Sequence, residues 1–390
     1  MTTVVINAIS VKEGGSLVVL RELLAGMAAL RPQWQWHVVM NSEAASPLPE
    51  LPNVKYLRFP KIDRSGMRTR LWYETGLPSL LERVDANLLF SMTNYLPMRR
   101  MPCSTLLLVQ HAGHFSPLFR QLTLAGLDVL GRMAWRLKGK WVRSSVRMAD
   151  MVTVQTAALA RQITYETRIP GDRIQVVPHG AGQAELQSTP VAPPGPNESI
   201  RVGYITKHGV QKNFDVLFQA LALLRKKGVP LTLILTLSKS VPENRALLTS
   251  AVQHGLEDIV ENHGELSAGE IGQLYKTLHA FVFPSLCESF GFPMVEAMAY
   301  GIPLLVADVE SNVEVSGAAA EVFAAHDSQA LVDKLEHLLI DAAWYRQRAQ
   351  ASLARAEKFD WARAAEETTF LMEEEMAKPA GRLFRNQNNR

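Results

Sequence analysis

Residues 280–307 constrain the fold more strongly than any other part of the chain. They begin with a short apolar run, 280–284, of the length typical of a buried strand. A turn follows, and Pro293 then begins a helix, because proline is favoured at the first helical position. Gly301 ends that helix, and a second apolar run, 304–307, starts directly afterwards. Strand, helix and strand in this order predict a parallel βαβ unit.

The turn between the first strand and the helix is the candidate site for chemistry. Ser289, Phe290 and Gly291 place backbone N–H groups at the helix N-terminus, where partial positive charge favours phosphate. Glu288 and Glu296 flank this anion site, and carboxylates accept hydrogen bonds from sugar and ribose hydroxyls. A phosphate site between two hydroxyl sites fits a nucleotide-sugar. Taken by themselves, the two glutamates could also be solvated side chains of an ordinary turn.

The whole string, PSLCESFGFPMVEAMAYGIPLLVAD, resembles the E-x7-E region of the retaining GT-B glycosyltransferases of family GT4, the glycosyl transferases group 1. Ser289 stands where glycine is common in that pattern, and serine still supplies the N–H. The resemblance implies an α/β protein with two Rossmann-like domains that face each other across a cleft. It also implies a UDP- or GDP-sugar donor, with Glu288 among the catalytic residues and Glu296 bound to the ribose.

Composition favours a soluble protein of two domains in the cytoplasm. The chain has 390 residues, 47% of them hydrophobic and 20% charged, and its net charge of +3 is too small to indicate a nucleic-acid partner. Cys103 and Cys287 cannot form a disulfide framework and are interpreted as reduced thiols. No basic, apolar leader and no run of membrane-spanning length is visible in the sequence.

The predicted domains follow from two further patterns. Residues 174–182, IQVVPHGAG, resemble the family's I-x-V-I-x-N-G-V-D, with Gly182 in place of the final Asp, and several prolines come after them. The sequence therefore predicts a first domain over 1–182, a linker over 183–199, a second domain over 200–361 and a disordered tail over 378–390. The resemblance implies that the first domain is the acceptor side, that the second binds the nucleotide-sugar, and that a helix over 362–377 crosses back to the first domain.

A glycine-containing loop follows the first predicted strand, 3–8. Gly14 and Gly15 let a backbone approach a ligand closely, although the loop lacks the G-x-G-x-x-G pattern and is a weak signal alone. In the resembled family this loop lies near the donor phosphates and the acceptor. Gly14, Gly15 and Ser16 are therefore predicted donor contacts.

A histidine-containing loop follows another predicted strand, 104–109. Side chains at the carboxyl end of a parallel strand point toward the ligand crevice of an open sheet. The resembled family commonly has a histidine or asparagine here that contacts the donor sugar, and His111 fits best as a catalytic residue. Gln110 and His114 remain open as alternatives.

Residues 115–148 differ in composition from their surroundings. They combine many basic residues with leucine and tryptophan, and Asp128 is their one acidic residue. Such helices are typical of a membrane surface, and two ordinary helices with solvated charges are the alternative. The predicted contacts with an anionic membrane or an acceptor are Arg132, Trp135, Arg136, Lys138, Lys140, Trp141 and Arg143.

Two lysines occupy the loop after the predicted strand 200–205. A cation there neutralises a departing diphosphate, although a solvated basic loop would look the same in isolation. The family usually presents G-R-L followed by K-G or K-N, and Lys212 with Asn213 matches the second element. Tyr204 occupies the usual arginine position, so Lys207 is the predicted substitute. Both lysines are predicted to act in catalysis and donor binding.

The segment 259–266, IVENHGEL, resembles the family segment that holds the nucleobase through backbone contacts. Gly264, Glu265 and Leu266 are the predicted base neighbours. Backbone contacts hardly distinguish bases, so uracil and guanine both remain open.

The resemblance also implies the mechanism. The sequence offers no convincing carboxylate nucleophile for a double displacement and no D-x-D metal motif, so we expect metal-independent transfer with retention. The expected acceptor is a glycan or a lipid-linked glycan, in the biosynthesis of a bacterial lipopolysaccharide, O-antigen or capsule. No cofactor beyond the donor substrate is expected, and the enzyme is expected to be cytoplasmic or peripheral on the inner membrane face. The alternatives are a GT-B nucleotide-sugar epimerase or phosphorylase, and a non-enzymatic bilobed sugar-binding protein.

Overall fold

The computed structural model describes residues 1–40, 48–59, 62, 65–195 and 198–378. These residues form two compact units. Among the described residues, the first unit contains those of Met1–Pro117 and Gly126–Gly180 and the segment from Asp360 to Lys378; the second contains those of Leu118–Ala125 and Ala181–Phe359. The predicted tail lies outside the described residues from position 379.

The first unit is built on one parallel sheet. Its described strands are β1 (Thr3–Ala8), β2 (Gln35–Met40), β3 (Val54–Arg58), β4 (Leu88–Ser91), β5 (Ser104–Leu108), β6 (Met151–Val154) and β7 (Ile174–Val176). They pair in the order β3-β2-β1-β4-β5-β6-β7, and every pairing is parallel. All residues of β4 and β6 are buried, because helices cover both faces of such a sheet.

Helices connect these strands. They are α1 (Gly15–Leu30), α2 (Gly66–Leu71), α3 (Leu77–Arg83), α4 (Pro117–Ala125), α5 (Val129–Met148) and α6 (Ala157–Thr167), with a π-helical turn at Trp72–Gly76. Residues 118–125 of α4 group with the second unit. No sequence pattern singled out the helices between residues 66 and 83.

The second unit repeats the same plan. Its described strands are β8 (Ile200–Tyr204), β9 (Leu231–Leu235), β10 (Val260–Asn262), β11 (Ala280–Phe283), β12 (Leu304–Ala307) and β13 (Ala320–Phe323). They form a parallel sheet in the order β10-β9-β8-β11-β12-β13. The connecting helices are α7 (Phe214–Lys226), α8 (Pro242–Gln253), α9 (Ala268–Tyr275), α10 (Phe292–Ala299), α11 (Glu310–Ser316), α12 (Ser328–Ile340) and α13 (Ala342–Ala356).

The βαβ unit predicted over residues 280–307 is confirmed as β11, α10 and β12. The two strands pair in parallel, with Phe281 opposite Leu304 and Phe283 opposite Val306. Both strands are buried throughout, which explains why each is an uninterrupted apolar run.

The last helix, α14 (Trp361–Ala377), packs against α1 in the first unit. A Cβ atom added to Gly26 would lie 2.5 Å from Cβ of Ala365, so the two helices approach closely at this point. Arg31 Nε lies 2.6 Å from Glu373 Oε1 and joins the helices at their surface. The chain therefore returns to its first unit after Phe359.

The predicted linker packs along α10 instead of extending freely. The backbone N–H of Gln187 donates to the carbonyl of Ala299 at 2.9 Å, and a Cβ atom on Gly301 would lie 2.5 Å from Cα of Pro190. Residues 181–195 accordingly belong to the second unit. Positions 196 and 197 of the predicted linker lie outside the described residues.

Both sheets reverse their strand order beside their first strand. β1 lies between β2 and β4 in the first sheet, and β8 lies between β9 and β11 in the second. Ligands of open α/β sheets bind at the carboxyl ends of the strands at such switch points. In the second unit the loops that follow β8 and β11 meet there.

Candidate active site

An ion pair joins the two loops at the switch point of the second sheet. Lys212 Nζ, after β8, lies 2.6 Å from Glu288 Oε1, after β11. The lysine side chain is 12% exposed and the glutamate side chain 16%, so the pair is only partly open to solvent. Ser285 Oγ donates to the same Oε1 atom at 2.6 Å. The sequence placed both charged residues in one site, and the structure brings them into contact.

Buried polar groups fix the backbone of the lysine loop. The hydroxyl of Tyr204 donates to the carbonyl of Lys212 at 2.9 Å. Asn213 adopts the left-handed conformation at the start of α7, with φ of 50°, and its side-chain amide donates to the carbonyls of Pro284 and Ala325. The tyrosine in place of the family's arginine therefore has a structural role: it holds the loop that carries Lys212.

The turn before α10 depends on Gly291. This residue has φ of 86°, which favours glycine, and an added Cβ atom would lie 3.1 Å from Cζ of Phe283. Phe290 is buried and packs edge-on against Phe359, with ring centroids 5.4 Å apart. The turn, including Ser289, thus reaches the N-terminus of α10 in a fixed conformation.

Glu296 lies in the middle of α10, with one donor on each carboxylate oxygen. The Tyr275 hydroxyl donates to Oε2 at 3.0 Å, and the backbone N–H of Gln183 donates to Oε1 at 3.3 Å. Burial raises the pKa of Glu296, and these two donors lower it again in part. The carboxylate predicted to bind ribose is therefore held in place before any ligand arrives.

The predicted nucleobase loop follows β10. Gly264 has φ of 74°, Glu265 is exposed, and Leu266 packs against the core of the second unit. Just before this loop, the Asn262 side chain pairs with both backbone groups of Leu237, at 2.8 and 2.9 Å. The loops after β9 and β10 are thereby tied together.

Lys207 is exposed in the loop after β8.

In the first unit, the glycine loop begins α1. Gly14 has φ of 67° and ψ of −153°, a conformation that requires glycine, and it lies directly before the helix. Gly15 is exposed, and the Ser16 hydroxyl donates to the carbonyl of Glu13 at 3.2 Å. The loop follows β1 at the switch point of the first sheet.

The three candidates after β5 are in different environments. The Gln110 side chain donates to the carbonyl of Met92 at 2.9 Å, which fixes it on the loop after β4. His114 is buried, and burial with the nearby His111, Lys138 and Arg143 lowers its pKa to about 4. His111 is exposed, and its Nδ1 accepts the Gly113 N–H at 3.2 Å. Of the three, His111 is best placed to meet a ligand.

Helix α5 has one buried and one exposed side. Its exposed apolar residues are Val129 (79% exposed), Leu130 (70%), Met133 (55%) and Leu137 (58%). Arg132, Arg136 and Lys140 are exposed on the same side at helical spacing. Lys138 is also exposed, with its Nζ 6.0 Å from the centroid of the Tyr95 ring. This combination of exposed apolar and basic residues is called the α5 surface below.

The other predicted membrane contacts face the body of the first unit. The Trp141 indole N–H donates to the carbonyl of Leu96 at 2.8 Å, and its ring packs on Tyr95 at 4.5 Å. Arg143 donates to the carbonyl of His114, and Trp135 packs against the His114 ring at 5.1 Å. Sequence spacing identified the helix but not which of its residues point outward.

No sequence pattern singled out Tyr275, Ser285 or Gln183 as members of the site. Tyr275 and Ser285 are buried and resemble ordinary core residues, although Ser285 stands within the motif next to Pro284. Gln183 contributes through its backbone N–H, which leaves no side-chain signal.

The described residues contain neither a metal-binding cluster nor a membrane-spanning helix. No group of three or more His, Cys, Asp and Glu side chains in this part of the chain could hold a metal ion. No described helix has the length and hydropathy needed to cross a membrane.

The two units have the parallel α/β architecture of the GT-B glycosyltransferases. The chain aligns over 96% of its length with the sucrose-phosphate synthase of Thermosynechococcus elongatus, covering 99% of that chain at a TM-score of 0.73 and 16% identity. It aligns over 95% with WaaG, a glycosyltransferase involved in lipopolysaccharide biosynthesis, covering 99% of that chain at 0.71 and 13%. Alr3699/HepE of Anabaena, in complex with UDP and glucose, matches over 96% of this chain and all of its own, at 0.69 and 16%.

Residues 185–356 match the model of the glycosyl transferases group 1. The serotype-specific mannosyltransferase WbdA of Escherichia coli is 29% identical over 56% of this chain and 28% of its own length. The O-antigen chain mannosyltransferase B of Escherichia coli is 30% identical over 42% of this chain and 43% of its own. The matched regions thus span less than half of either relative.

Proposed function

We propose that this protein is a retaining glycosyltransferase of family GT4 that acts in the biosynthesis of a bacterial surface polysaccharide. It transfers a sugar from a UDP- or GDP-sugar to a glycan or lipid-linked acceptor. The observation that carries the proposal is the contact of Lys212 with Glu288 at the switch point of the second sheet, inside the segment that matches the family. The similarity to the serotype-specific mannosyltransferase WbdA, to the O-antigen chain mannosyltransferase B and to WaaG supports the class of pathway.

The donor nucleotide binds along the carboxyl edge of the second sheet. Its diphosphate lies at the turn formed by Ser289, Phe290 and Gly291, where the helix N-terminus favours anions. Its ribose hydroxyls donate to Glu296, and its base lies beside residues 264–266. The HepE structure with UDP and glucose supports a donor of this class.

Lys212 and Glu288 have different roles at the reacting centre. An ammonium group has three N–H donors, so Lys212 keeps one on Glu288 and offers others to the diphosphate oxygens. Glu288 accepts hydrogen bonds from the transferred sugar and orients it. Lys207 adds a second positive charge near the diphosphate.

Transfer breaks the bond between the anomeric carbon and a diphosphate oxygen. The acceptor hydroxyl attacks on the face from which the diphosphate departs, and its proton passes to the departing diphosphate oxygen. The protein stabilises the charge that develops on this group through Lys212 and the N–H groups of the turn. These protein groups supply the neutralisation, so no divalent metal is required.

The α5 surface provides a second part of the proposal, which is peripheral association with an anionic membrane. Exposed apolar side chains flanked by arginine and lysine suit the interface between headgroups and acyl chains. The surface belongs to the first unit, where the predicted acceptor side lies, and this location favours a lipid-linked acceptor. Leu130 and Leu137 would enter the interface, while Arg136 and Lys140 contact anionic headgroups.

A product assay tests the proposed function. The protein is incubated with individual UDP- and GDP-sugars and with glycolipids extracted from the source organism, and the products are identified by mass spectrometry. We expect a glycosylated acceptor and free nucleoside diphosphate, and the anomeric coupling in NMR spectra tests retention. An altered free nucleotide-sugar would identify an epimerase instead, and sugar binding without nucleotide release would identify a binding protein.

A further inference from the structure

Tyr275 is placed by the protein core against the carboxylate of Glu296. The residue ends α9 and is 1% exposed. Its ring stacks on Tyr300, with centroids 5.2 Å apart and planes 15° apart. Its hydroxyl lies 3.0 Å from Glu296 Oε2 and 3.2 Å from the carbonyl of Pro293. Because the ring is enclosed, the hydroxyl cannot turn toward solvent.

The two donors leave the carboxylate with capacity for a ligand. A carboxylate has about four lone-pair sites on its two oxygens. Tyr275 uses one site on Oε2, and the Gln183 N–H uses one on Oε1. The remaining capacity on the two oxygens matches the two adjacent hydroxyls of a ribose. A lysine or arginine in place of Tyr275 would compete for both oxygens, whereas a phenol occupies only one site.

We propose that Tyr275 is a positioning residue, which orients the Glu296 carboxyl group for the ribose hydroxyls of the donor. The ribose part of this role rests on the proposed function, whereas the coupling between Tyr275 and Glu296 does not. Tyr275 itself touches no substrate in this assignment. It acts through the carboxylate that it holds.

The contribution of the Tyr275–Glu296 contact to folding stability depends on pH. The titratable groups around Glu296 in the described part of the chain are Tyr275 and Tyr300. The negative charge of Glu185, in the linker, raises the pKa of Tyr300. Burial raises the pKa of Glu296, and the Tyr275 hydrogen bond opposes this rise. A carboxyl group whose pKa is raised by folding contributes stability at low pH that is lost as the pH rises through its folded pKa. Removing the Tyr275 hydroxyl raises the pKa of Glu296 further. The variant therefore loses more folding stability than the wild type as the pH rises to neutral.

Urea unfolding between pH 5 and pH 8 tests this coupling. Tyr275→Phe is compared with the wild type, and both are repeated in a Glu296→Gln background. Tyr300→Phe is the matched control, because it removes a hydroxyl from the same aromatic stack. We expect the stability difference caused by Tyr275→Phe to grow with pH when Glu296 is present and to stay constant in the Glu296→Gln background. The proposal is overturned if the stability difference caused by Tyr275→Phe does not change with pH in either background.

Calorimetric titration with UDP and with GDP provides the second measurement. Loss of one hydrogen bond to a charged group predicts roughly ten- to a hundredfold weaker nucleotide binding in Tyr275→Phe, increasing as the pH falls, and little change in Tyr300→Phe. Unchanged binding in Tyr275→Phe overturns the positioning role. A wild-type protein that binds neither nucleotide overturns the proposed function, whereas the pH-dependent stability difference would still support the coupling of Tyr275 to Glu296.

Discussion

The carboxylate of Glu296 occupies the space that a side chain at Gly182 would need. A Cβ atom at position 182 would lie 2.3 Å from Glu296 Oε1, and Gly182 has φ of 61°. The family pattern has aspartate at this position, so the glycine in this chain and the placement of Glu296 depend on each other. Glycine here lets the linker backbone approach the carboxylate, so that the next residue, Gln183, donates its N–H.

Gly182→Ala is expected to destabilise the protein more when Glu296 is present than when it is absent. The left-handed backbone costs alanine about 1–2 kcal/mol in either background. The clash adds about 1–3 kcal/mol only in the presence of the carboxylate. A double-mutant cycle of Gly182→Ala with Glu296→Ala, measured by urea unfolding, separates the two costs. If the destabilisation of the double variant equals the sum of the two single destabilisations, the Glu296 side chain can move away from the added methyl group without cost.

Glu296→Ala is expected to weaken donor binding, because the ribose loses a charged acceptor. The loss of one such hydrogen bond costs on the order of 1.5–3 kcal/mol. Calorimetry with UDP and GDP measures the effect. Glu185→Ala removes a linker carboxylate that makes no predicted ligand contact and is the matched control. Equal nucleotide affinities of Glu296→Ala and the wild type would refute the ribose role.

Lys212→Ala is expected to lower kcat more than it weakens donor binding, because charge accumulates on the diphosphate as the bond breaks. Loss of a single electrostatic stabiliser commonly lowers the rate by about 10²–10³. The steady-state kinetics of the variant are compared with those of Lys239→Ala, a lysine in the exposed loop after β9. A change confined to KM would contradict the role proposed for Lys212 in departure of the diphosphate.

Chelation is expected to leave the wild-type activity intact. In the proposed mechanism, Lys212 and the N–H groups of the turn provide the positive charge that a metal ion provides in other transferases. Transfer is measured in EDTA and then after addition of Mg²⁺. Complete loss of activity in EDTA that Mg²⁺ restores would contradict the metal-independent mechanism.

The α5 surface is expected to bind anionic vesicles in a salt-sensitive manner. Each arginine or lysine near an anionic leaflet contributes about 1 kcal/mol, and salt screens much of this attraction. Flotation with vesicles that contain phosphatidylglycerol compares the wild type with the triple variant Arg132→Gln, Arg136→Gln and Lys140→Gln at low and high salt.

A control variant separates local from overall charge in that experiment. Lys226→Gln, Lys239→Gln and Arg346→Gln change the net charge equally at exposed positions of the second unit. We expect only the α5 variant to lose flotation. If the wild type and both variants float equally poorly, the α5 residues are solvated side chains and the acceptor is soluble.

The sequence by itself determined the elements that carry the site. Parallel strands covered on both faces must be apolar throughout, so β8, β11 and β12 are visible as short apolar runs. The turn before α10 requires residues that fit its backbone, so Gly291 and Pro293 mark it in the sequence. Lys212, Glu288 and Glu296 were assigned to one site because the strings that contain them resemble motifs of one glycosyltransferase family.

Only the tertiary structure decided which partners these residues have. Gln183 and Glu296 are 113 positions apart, and Tyr275 reaches Glu296 from another helix, so no local pattern records either contact. Trp141 and Leu137 share one helix, yet Trp141 packs against Tyr95 whereas Leu137 is exposed, because the direction of each side chain relative to the core decides its burial. Local sequence limits the backbone to a few conformations, whereas contacts between distant segments depend on how the whole chain packs.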